Sequence, residues 1–236
     1  LGAYDLYRRL TTKYPHILFE SCSSGGARFD PAMLYFAPQA WASDNSDAVS
    51  RLKIQYGTSM VYPISSIGAH ISAVPNHQVD RITSLKMRGD VAYFGTFGYE
   101  LDLTKLSEEE RNQAMNQIQW MKEHRELIQF GTFYRLLSPF EGNYTSWMVV
   151  SEDKKEAIVG WYRVLGEVNV GYHRVKLQGL NEDLEYTIND SEGTYSGDLL
   201  MNAGLITSDH MCGETRPEDM TLRGDFTSKI FHLKAK

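Results

Sequence analysis

The spacing of apolar residues changes about half-way along the chain. Up to about residue 131, short apolar runs alternate with helical patterns. Predicted strands lie at residues 16–20, 39–42, 59–64 and 97–101. Predicted helices lie at residues 3–13, 47–56, 80–94 and 107–130. Runs such as Ile17, Leu18 and Phe19 are apolar on both faces, which is typical of parallel strands covered by helices. The first part of the chain therefore predicts an α/β fold of repeated strand–helix units.

The last of these helices carries the clearest end signals. Ser107 and Glu110 have the spacing of a capping box, and Gly131 stands where the helix should end. After Gly131 the runs become short, β-branched and aromatic, separated by Gly, Asn and Asp: "YTSWMVVS", "EAIVGWYRV", "HRVKLQGL", "LEYTIND" and "SKIFHLKA". This pattern predicts an antiparallel sandwich or small barrel. We therefore expect two domains, residues 1–131 and 132–236.

Composition and charge narrow the possible partners. The 236 residues carry a formal net charge of −6, which argues against nucleic acid or an anionic membrane as the main partner. No apolar run approaches the roughly 20 residues that span a bilayer. Cys22 and Cys212 would allow one long-range disulfide, but two cysteines form no disulfide framework. A reducing compartment, and with it a cytoplasmic location, is the expectation.

The first part holds only half of a familiar architecture. About four strand–helix units are predicted, whereas a complete (β/α)₈ barrel takes eight units and about 250 residues. Half a barrel would leave an open parallel edge and an unfilled interior. The chain also starts at Leu1 inside a helical pattern. We expect that a preceding part of the protein, or a partner chain, supplies the other half.

Asp44 is the first candidate for chemistry. It follows a predicted strand and precedes a predicted helix, where α/β barrels carry their catalytic groups. A carboxyl group beside an aromatic wall such as Trp41 can have its pKa raised by desolvation and act as a general acid. Spacing alone favours a structural alternative, in which Ser43, Asp44 or Asn45 caps the helix and Asp47 stabilises its first turn. The two roles are compatible.

The segment "SCSSGGARFD", residues 21–30, is the second candidate. Its glycines permit a tight turn, and the exposed N–H groups of such a turn bind anions or sugar hydroxyls. No Lys-Ser/Thr pair follows them, so the segment is not a P-loop. An ordinary strand-to-helix turn is the alternative. Cys22 fits either a nucleophile or, more simply, a half-buried packing thiol.

Two histidines follow the third predicted strand. His70 and His77 are expected on its loop side, where barrels carry function. No Asp or Cys stands at ligand spacing from them, which argues against a zinc site. Hydrogen-bonded structural roles are favoured for both.

Four long stretches resemble the second half of the α-galactosidases of glycoside hydrolase family 36. They are "LFESCSSGGARFD", "PQAWASDNSDAVSRLKIQYGTS", "YPISSIGAHISAVPNHQ" and "FGYELDLTKLS". The resemblance implies that this chain supplies strands five to eight of a (β/α)₈ TIM barrel, followed by a C-terminal antiparallel β-sandwich domain. It also implies retaining hydrolysis of terminal α-galactosides such as melibiose and raffinose-type sugars, without a metal or organic cofactor.

The resemblance assigns roles to individual residues. Asp44 matches the first aspartate of the family's W-x-S-D-[DN]-x-D segment, the general acid/base. Cys22, Ser23, Ser24 and Gly25 match a segment that contributes to the sugar pocket. The family's nucleophile belongs to a K-W-D segment that this chain does not contain. The resemblance therefore implies that α-galactoside oligosaccharides are the partners, that the chain is inactive alone, and that the full-length form is a homo-oligomer.

Other readings of the sequence remain open. Related α-sugars, or galactosyl transfer instead of hydrolysis, would suit the same fold. A non-catalytic module could stack sugars on Trp147, Trp161 and Tyr162, although aromatic residues of a sandwich more often fill its core. A barrel that binds phosphate at the Gly25–Gly26 turn is the third possibility.

Overall fold

The computed structural model describes residues 2–22, 27, 29–168, 171–207 and 224–236. Within these ranges, none of the helices combines the length and the apolar character needed to cross a membrane. Helices and parallel strands alternate as far as residue 130, and antiparallel strands predominate afterwards. The described chain is a partial barrel followed by a β domain.

Among the described residues, the partial barrel contains five α-helices and four parallel strands. The helices are α1 (Gly2–Lys13), α2 (Pro31–Phe36), α3 (Ala48–Ser59), α4 (Leu85–Ala92) and α5 (Glu108–Phe130). The strands are β1 (Glu20–Ser21), β2 (Gln39–Ala40), β3 (Gly68–Ser72) and β4 (Thr96–Glu100). Parallel pairing joins β1 to β2 and β3 to β4. A parallel bridge from Ala40 to Ile67 links the two pairs, so the strands follow one another in chain order.

Local sequence signals explain several helix ends. The Ser107 side chain accepts a hydrogen bond from the Glu110 N–H at 3.1 Å, and the Glu110 carboxylate accepts one from the Ser107 N–H at 2.9 Å. The predicted capping box of α5 is therefore confirmed. The Gly131 N–H closes the other end of α5 on the Leu127 carbonyl at 2.8 Å.

The β domain is built on one six-stranded antiparallel sheet. Its strands are β5 (Thr132–Leu137), β6 (Tyr144–Val150), β7 (Glu156–Arg163), β9 (Glu185–Ile188), β10 (Thr194–Ser196) and β12 (Thr227–Ala235). Their order in the sheet is β10-β9-β12-β7-β6-β5. The strands β8 (Arg174–Val175) and β11 (Leu205–Ile206) form a separate ribbon, and α6 (Gly197–Asn202) lies between β10 and β11.

Both faces of the central sheet are buried. Alternate residues of β6 and β7, including Trp147 and Tyr162, pack with the partial barrel through Phe94, which follows α4, and Met121 of α5. The residues between them, such as Trp161, pack on the other side with the segment of β8 and with α6. Because side chains of a strand alternate between faces, two covered faces require nearly continuous apolar runs. The core that contains Trp147 and Tyr162 therefore joins the partial barrel to the β domain.

This packing removes the proposed sugar-stacking surface. Trp147, Trp161 and Tyr162 are 1%, 4% and 0% exposed. A side chain with so little exposed surface cannot offer its ring face to a sugar. The hypothesis that these three residues stack on carbohydrate is wrong, because the two cores need them.

Four element predictions were wrong in position. Of the strand predicted at 16–20, only Glu20 belongs to β1, and Ile17 and Leu18 are 46% and 86% exposed instead of covered by helices. Residues 59–64 are not a strand: Ser59 ends α3, residues Ile64–Ser66 form a turn of 3-10 helix, and the strand is β3. The apolar residues Met60 and Val61 of that run are exposed. The helix predicted at 80–94 starts only at Leu85, because Ser84 caps it. Of the strand predicted at 173–180, only Arg174–Val175 pairs.

Asp90 lies at the junction of the partial barrel and the β domain. Its carboxylate accepts hydrogen bonds from the Ser228 hydroxyl at 2.7 Å and from Lys86, and its carbonyl accepts one from the Tyr162 hydroxyl at 2.7 Å. The residue is 5% exposed. Burial raises the pKa of the Asp90 carboxyl, against the opposing effects of Lys86 and Ser228.

The raised pKa gives Asp90 a defined effect on stability. A carboxyl group with a higher pKa in the folded state contributes stability at low pH, and that contribution is lost as the pH rises through the folded-state pKa. We expect Asp90→Asn to raise the thermal midpoint by a few degrees at pH 7 and to change it little near pH 4. The Lys86 ammonium group, whose side chain is 49% exposed, can be hydrated when it loses the Asp90 carboxylate. Scanning calorimetry at both pH values measures this, with the exposed Asp183→Asn as control. A lower midpoint of Asp90→Asn at pH 7 would mean that the Lys86 ion pair outweighs the cost of burial.

Candidate active site at the strand ends

The parallel strands bring their carboxyl ends to one edge. Cys22 directly follows β1, and the segment from Trp41 to Asp44 follows β2. The Trp41 N–H donates to the Ser21 carbonyl at 3.0 Å, so the two segments are neighbours. Cys22 is exposed, so the prediction of a half-buried packing thiol is wrong, and its thiol is free among the described residues. Ser23, Ser24 and Gly25, the other predicted sugar-binding residues, lie outside the described residues.

The backbone around Asp44 is held by side chains on either side of it. The Ser43 hydroxyl accepts the Asn45 N–H at 3.2 Å, and the Asn45 amide oxygen accepts the Asp47 N–H at 3.1 Å. The Asp47 carboxylate then accepts the Ser50 N–H at 2.8 Å and caps α3. Capping by Ser43, Asp44 or Asn45 is therefore wrong, because Asp47 already occupies that position.

Asp44 itself is left available. Its side chain is exposed and forms no hydrogen bond or ion pair with any other described residue. A carboxyl group at a strand end that has no structural partner can donate a proton to a bound ligand or accept one from it. This is the chemistry that the edge of the partial barrel offers.

A buried polar network holds the loop that contains Asp44. The Ser72 hydroxyl donates to the Ser46 carbonyl at 3.2 Å, and the Asn76 amide donates to the hydroxyls of Ser46 and Ser72, both at 3.3 Å. Arg81 forms an ion pair with Asp47, whose side chain is 1% exposed. No sequence pattern indicated the roles of Ser72, Asn76 and Arg81. Their contacts with Ser46 and Asp47 span 26 to 34 residues, and no local signal reveals such contacts.

An aromatic wall lies beside this loop. The ring centroids of Trp41 and His70 are 4.6 Å apart, and the Arg51 guanidinium lies 4.7 Å from the Trp41 ring centroid. The same guanidinium donates a hydrogen bond to the Gly68 carbonyl. Burial lowers the pKa of His70, although Glu100 and Glu20 act in the opposite direction. Burial also lowers the pKa of Arg51, to about 10, so Arg51 stays charged at neutral pH.

The two histidines have different surroundings. His70 lies inside β3 and not on a loop, because the third strand is Gly68–Ser72. The predicted loop position of His70 is therefore wrong. His77 is exposed and contacts Gln78 at 3.3 Å. Neither belongs to a group of three potential metal ligands among the described residues.

Comparison with known proteins identifies the class to which this arrangement belongs. Residues 1–131 match the melibiase family, and residues 144–233 match the C-terminal domain of glycosyl hydrolase family 36. The chain belongs to the melibiase family.

Individual relatives are closely similar. The chain is 60% identical to alpha-galactosidase AgaA of Geobacillus stearothermophilus and 47% identical to alpha-galactosidase 1 of Pediococcus pentosaceus, each over 235 residues. The alignments cover 100% of this chain and 30% of each relative. The crystal structure of an AgaA variant in complex with raffinose superposes with a TM-score of 0.92 and 53% identity, covering 100% of this chain and 31% of that one. The chain thus spans about a third of the length of these relatives.

Proposed function

We propose that this chain is the C-terminal part of a retaining α-galactosidase that hydrolyses terminal α-D-galactosyl residues of melibiose and raffinose-type oligosaccharides. The observation that carries the proposal is the Asp44 carboxyl in the segment after β2, which bonds to no other described residue, in a chain of the melibiase family. The α-galactosidase relatives and the raffinose complex of one of them support the choice of substrate.

The proposal includes a finer account of the fold. Strands β1 to β4 are strands five to eight of a (β/α)₈ barrel, and residues 132–236 form an antiparallel β-sandwich domain. Four parallel strands in chain order, each followed by a helix or a turn of helix, support the first statement. The ribbon of β8 and β11, which covers one face of the sheet, supports the second.

Asp44 is the general acid/base in this proposal. It gives its proton to the glycosidic oxygen while a nucleophilic carboxylate attacks the anomeric carbon, and it then takes a proton from the water that releases galactose. A retaining mechanism needs the two carboxyl groups about 5–5.5 Å apart. The nucleophile lies outside this chain, so the chain alone is inactive. In the same proposal, Cys22, Ser23, Ser24 and Gly25 contribute to binding of the sugar.

The stereochemistry of hydrolysis tests the proposal directly. The complete protein is incubated with raffinose, and the anomeric proton of the released galactose is followed by NMR from the first minute. We expect α-galactose to appear first and to mutarotate afterwards. β-Galactose as the first product would show inversion, and no release of galactose would contradict the proposed substrate. A β-galactoside serves as the control and should remain intact.

Other properties expected from the sequence stay predictions. These are the cytoplasmic location, the homo-oligomeric full-length form and catalysis without a cofactor. Transfer of galactose to another sugar would use the same residues, and product analysis in the NMR experiment would reveal it.

A further inference from the structure

Three side chains from distant parts of the chain meet away from the candidate active site. They are His124 of α5, Glu156 of β7 and His232 of β12, and their potential ligand atoms lie within 4.8 Å of one another. All three side chains are partly buried. They line a cavity of about 450 Å³. Its other lining residues are Trp120, Glu123, Asn189, Asp190 and Lys234.

Hydrogen bonds define the proton positions on both imidazole rings. Nδ1 of His124 lies 2.7 Å from the Trp120 carbonyl oxygen, which can only accept, so this nitrogen carries the hydrogen. Nε2 of His232 lies 2.5 Å from the Glu156 carboxylate and donates to it for the same reason. The remaining nitrogens, Nε2 of His124 and Nδ1 of His232, therefore present lone pairs.

These two lone-pair nitrogens face each other at 3.3 Å. With a lone pair on each, they repel each other unless a cation lies between them. A proton on one of the two nitrogens would make an N–H···N hydrogen bond at this distance. A zinc ion bound at about 2.0–2.1 Å from each of two nitrogens in tetrahedral geometry separates them by about 3.3–3.4 Å. The observed distance therefore fits a bound metal ion as well as a shared proton.

The surrounding groups also favour a cation. Glu156 holds the His232 ring by its second nitrogen, which is the carboxylate–histidine arrangement common behind metal-binding histidines. Glu123, Glu156 and Asp190 contribute three negative charges to the cavity, and Lys234 contributes one positive charge. Lys234 is directed at Asp190, 3.7 Å away. Imidazole and carboxylate ligands suit Zn²⁺ and similar transition-metal ions.

We propose that His124 Nε2 and His232 Nδ1 bind a divalent transition-metal ion of the Zn²⁺ class, with Glu156 orienting His232 and offsetting the charge. The remaining coordination positions open on the cavity. Because the two ligands come from α5 and β12, the ion joins the last helix of the partial barrel to the β domain. No local sequence pattern reveals this site, because His124, Glu156 and His232 are separated by 32 and 76 residues.

Metal titration of the complete protein tests this proposal. The protein is treated with a chelator, dialysed and titrated with Zn²⁺ in a calorimeter, and Co²⁺ is then used as a spectroscopic probe. We expect one site per chain that His124→Ala and His232→Ala weaken by roughly a hundredfold or more, and Glu156→Gln by roughly 10–100-fold. Visible Co²⁺ bands should be lost in both histidine variants. Binding of Zn²⁺ should also raise the thermal midpoint of the wild type.

Two matched controls accompany the variants. Glu126→Gln changes an exposed carboxylate on the same helix, and His77→Ala removes an exposed histidine elsewhere; both should keep the wild-type affinity. Unchanged Zn²⁺ affinity in His124→Ala and His232→Ala overturns the proposal, and so does the absence of Zn²⁺ binding by the wild type. If a histidine variant does not fold, Glu156→Gln, which preserves the side-chain shape, decides the question.

Discussion

If Asp44 is the general acid/base as proposed, replacing it with alanine in the complete protein is expected to lower kcat/KM for raffinose by about 10²–10⁴-fold, the usual contribution of a positioned general acid/base. The side chain is exposed and bonds to no other described residue, so its removal leaves the fold intact. The thermal midpoint should therefore stay at the wild-type value. Loss of activity together with loss of stability would point to a structural role for Asp44.

The leaving group separates acid catalysis from other roles of Asp44. The nitrophenolate of a nitrophenyl α-galactoside leaves without protonation. Asp44→Ala should therefore lower the rate of the first step far less for this substrate than for raffinose. Pre-steady-state kinetics on both substrates measures the difference. An equal loss of first-step rate on both substrates would show that Asp44 is not the general acid. The exposed Asp153→Asn, in the turn between β6 and β7, is the matched control and should behave as the wild type.

Replacing Asp47 with alanine is expected to cost about 2–4 kcal/mol of unfolding free energy. The change removes the cap of α3, worth about 0.5–2 kcal/mol, and it leaves Arg81 without its buried partner. The full cost of a broken buried ion pair, about 3–5 kcal/mol, does not apply, because Arg81 is 29% exposed and can be hydrated. Denaturant unfolding of the complete protein measures the loss.

Two variants separate the cap from the ion pair. Ser84→Ala removes the cap of α4 without touching an ion pair and should cost about 1 kcal/mol. Asp47→Asn keeps an acceptor for the Ser50 N–H but loses the charge that Arg81 needs, so its cost should lie between the other two. Equal effects of Asp47→Ala and Ser84→Ala would mean that the ion pair contributes nothing. Because Asp47 also anchors the loop that contains Asp44, Asp47→Ala should lower kcat and change KM little.

Local signals predicted much of the fold. The capping box at Ser107 and Glu110, together with Gly131, marks the ends of α5 within a few residues of chain. The alternation of apolar runs likewise predicted β6 and β7 nearly to their ends. The third strand was misplaced because Met60 and Val61 read as an apolar run although both are exposed. An apolar run indicates a buried strand only where other segments of the chain pack over it.

By itself, the sequence determined the order of an α/β part and a β part, and it placed Asp44 between β2 and α3. These features depend on residues within a turn or a strand of one another, so their signals are written locally. Only the tertiary structure decided that Asp47 and not Asp44 caps α3, that Trp147 and Trp161 are buried, and that His124 meets His232. Each of these depends on contacts between segments far apart in the chain, and a contact of that kind exists only once both segments have folded against each other.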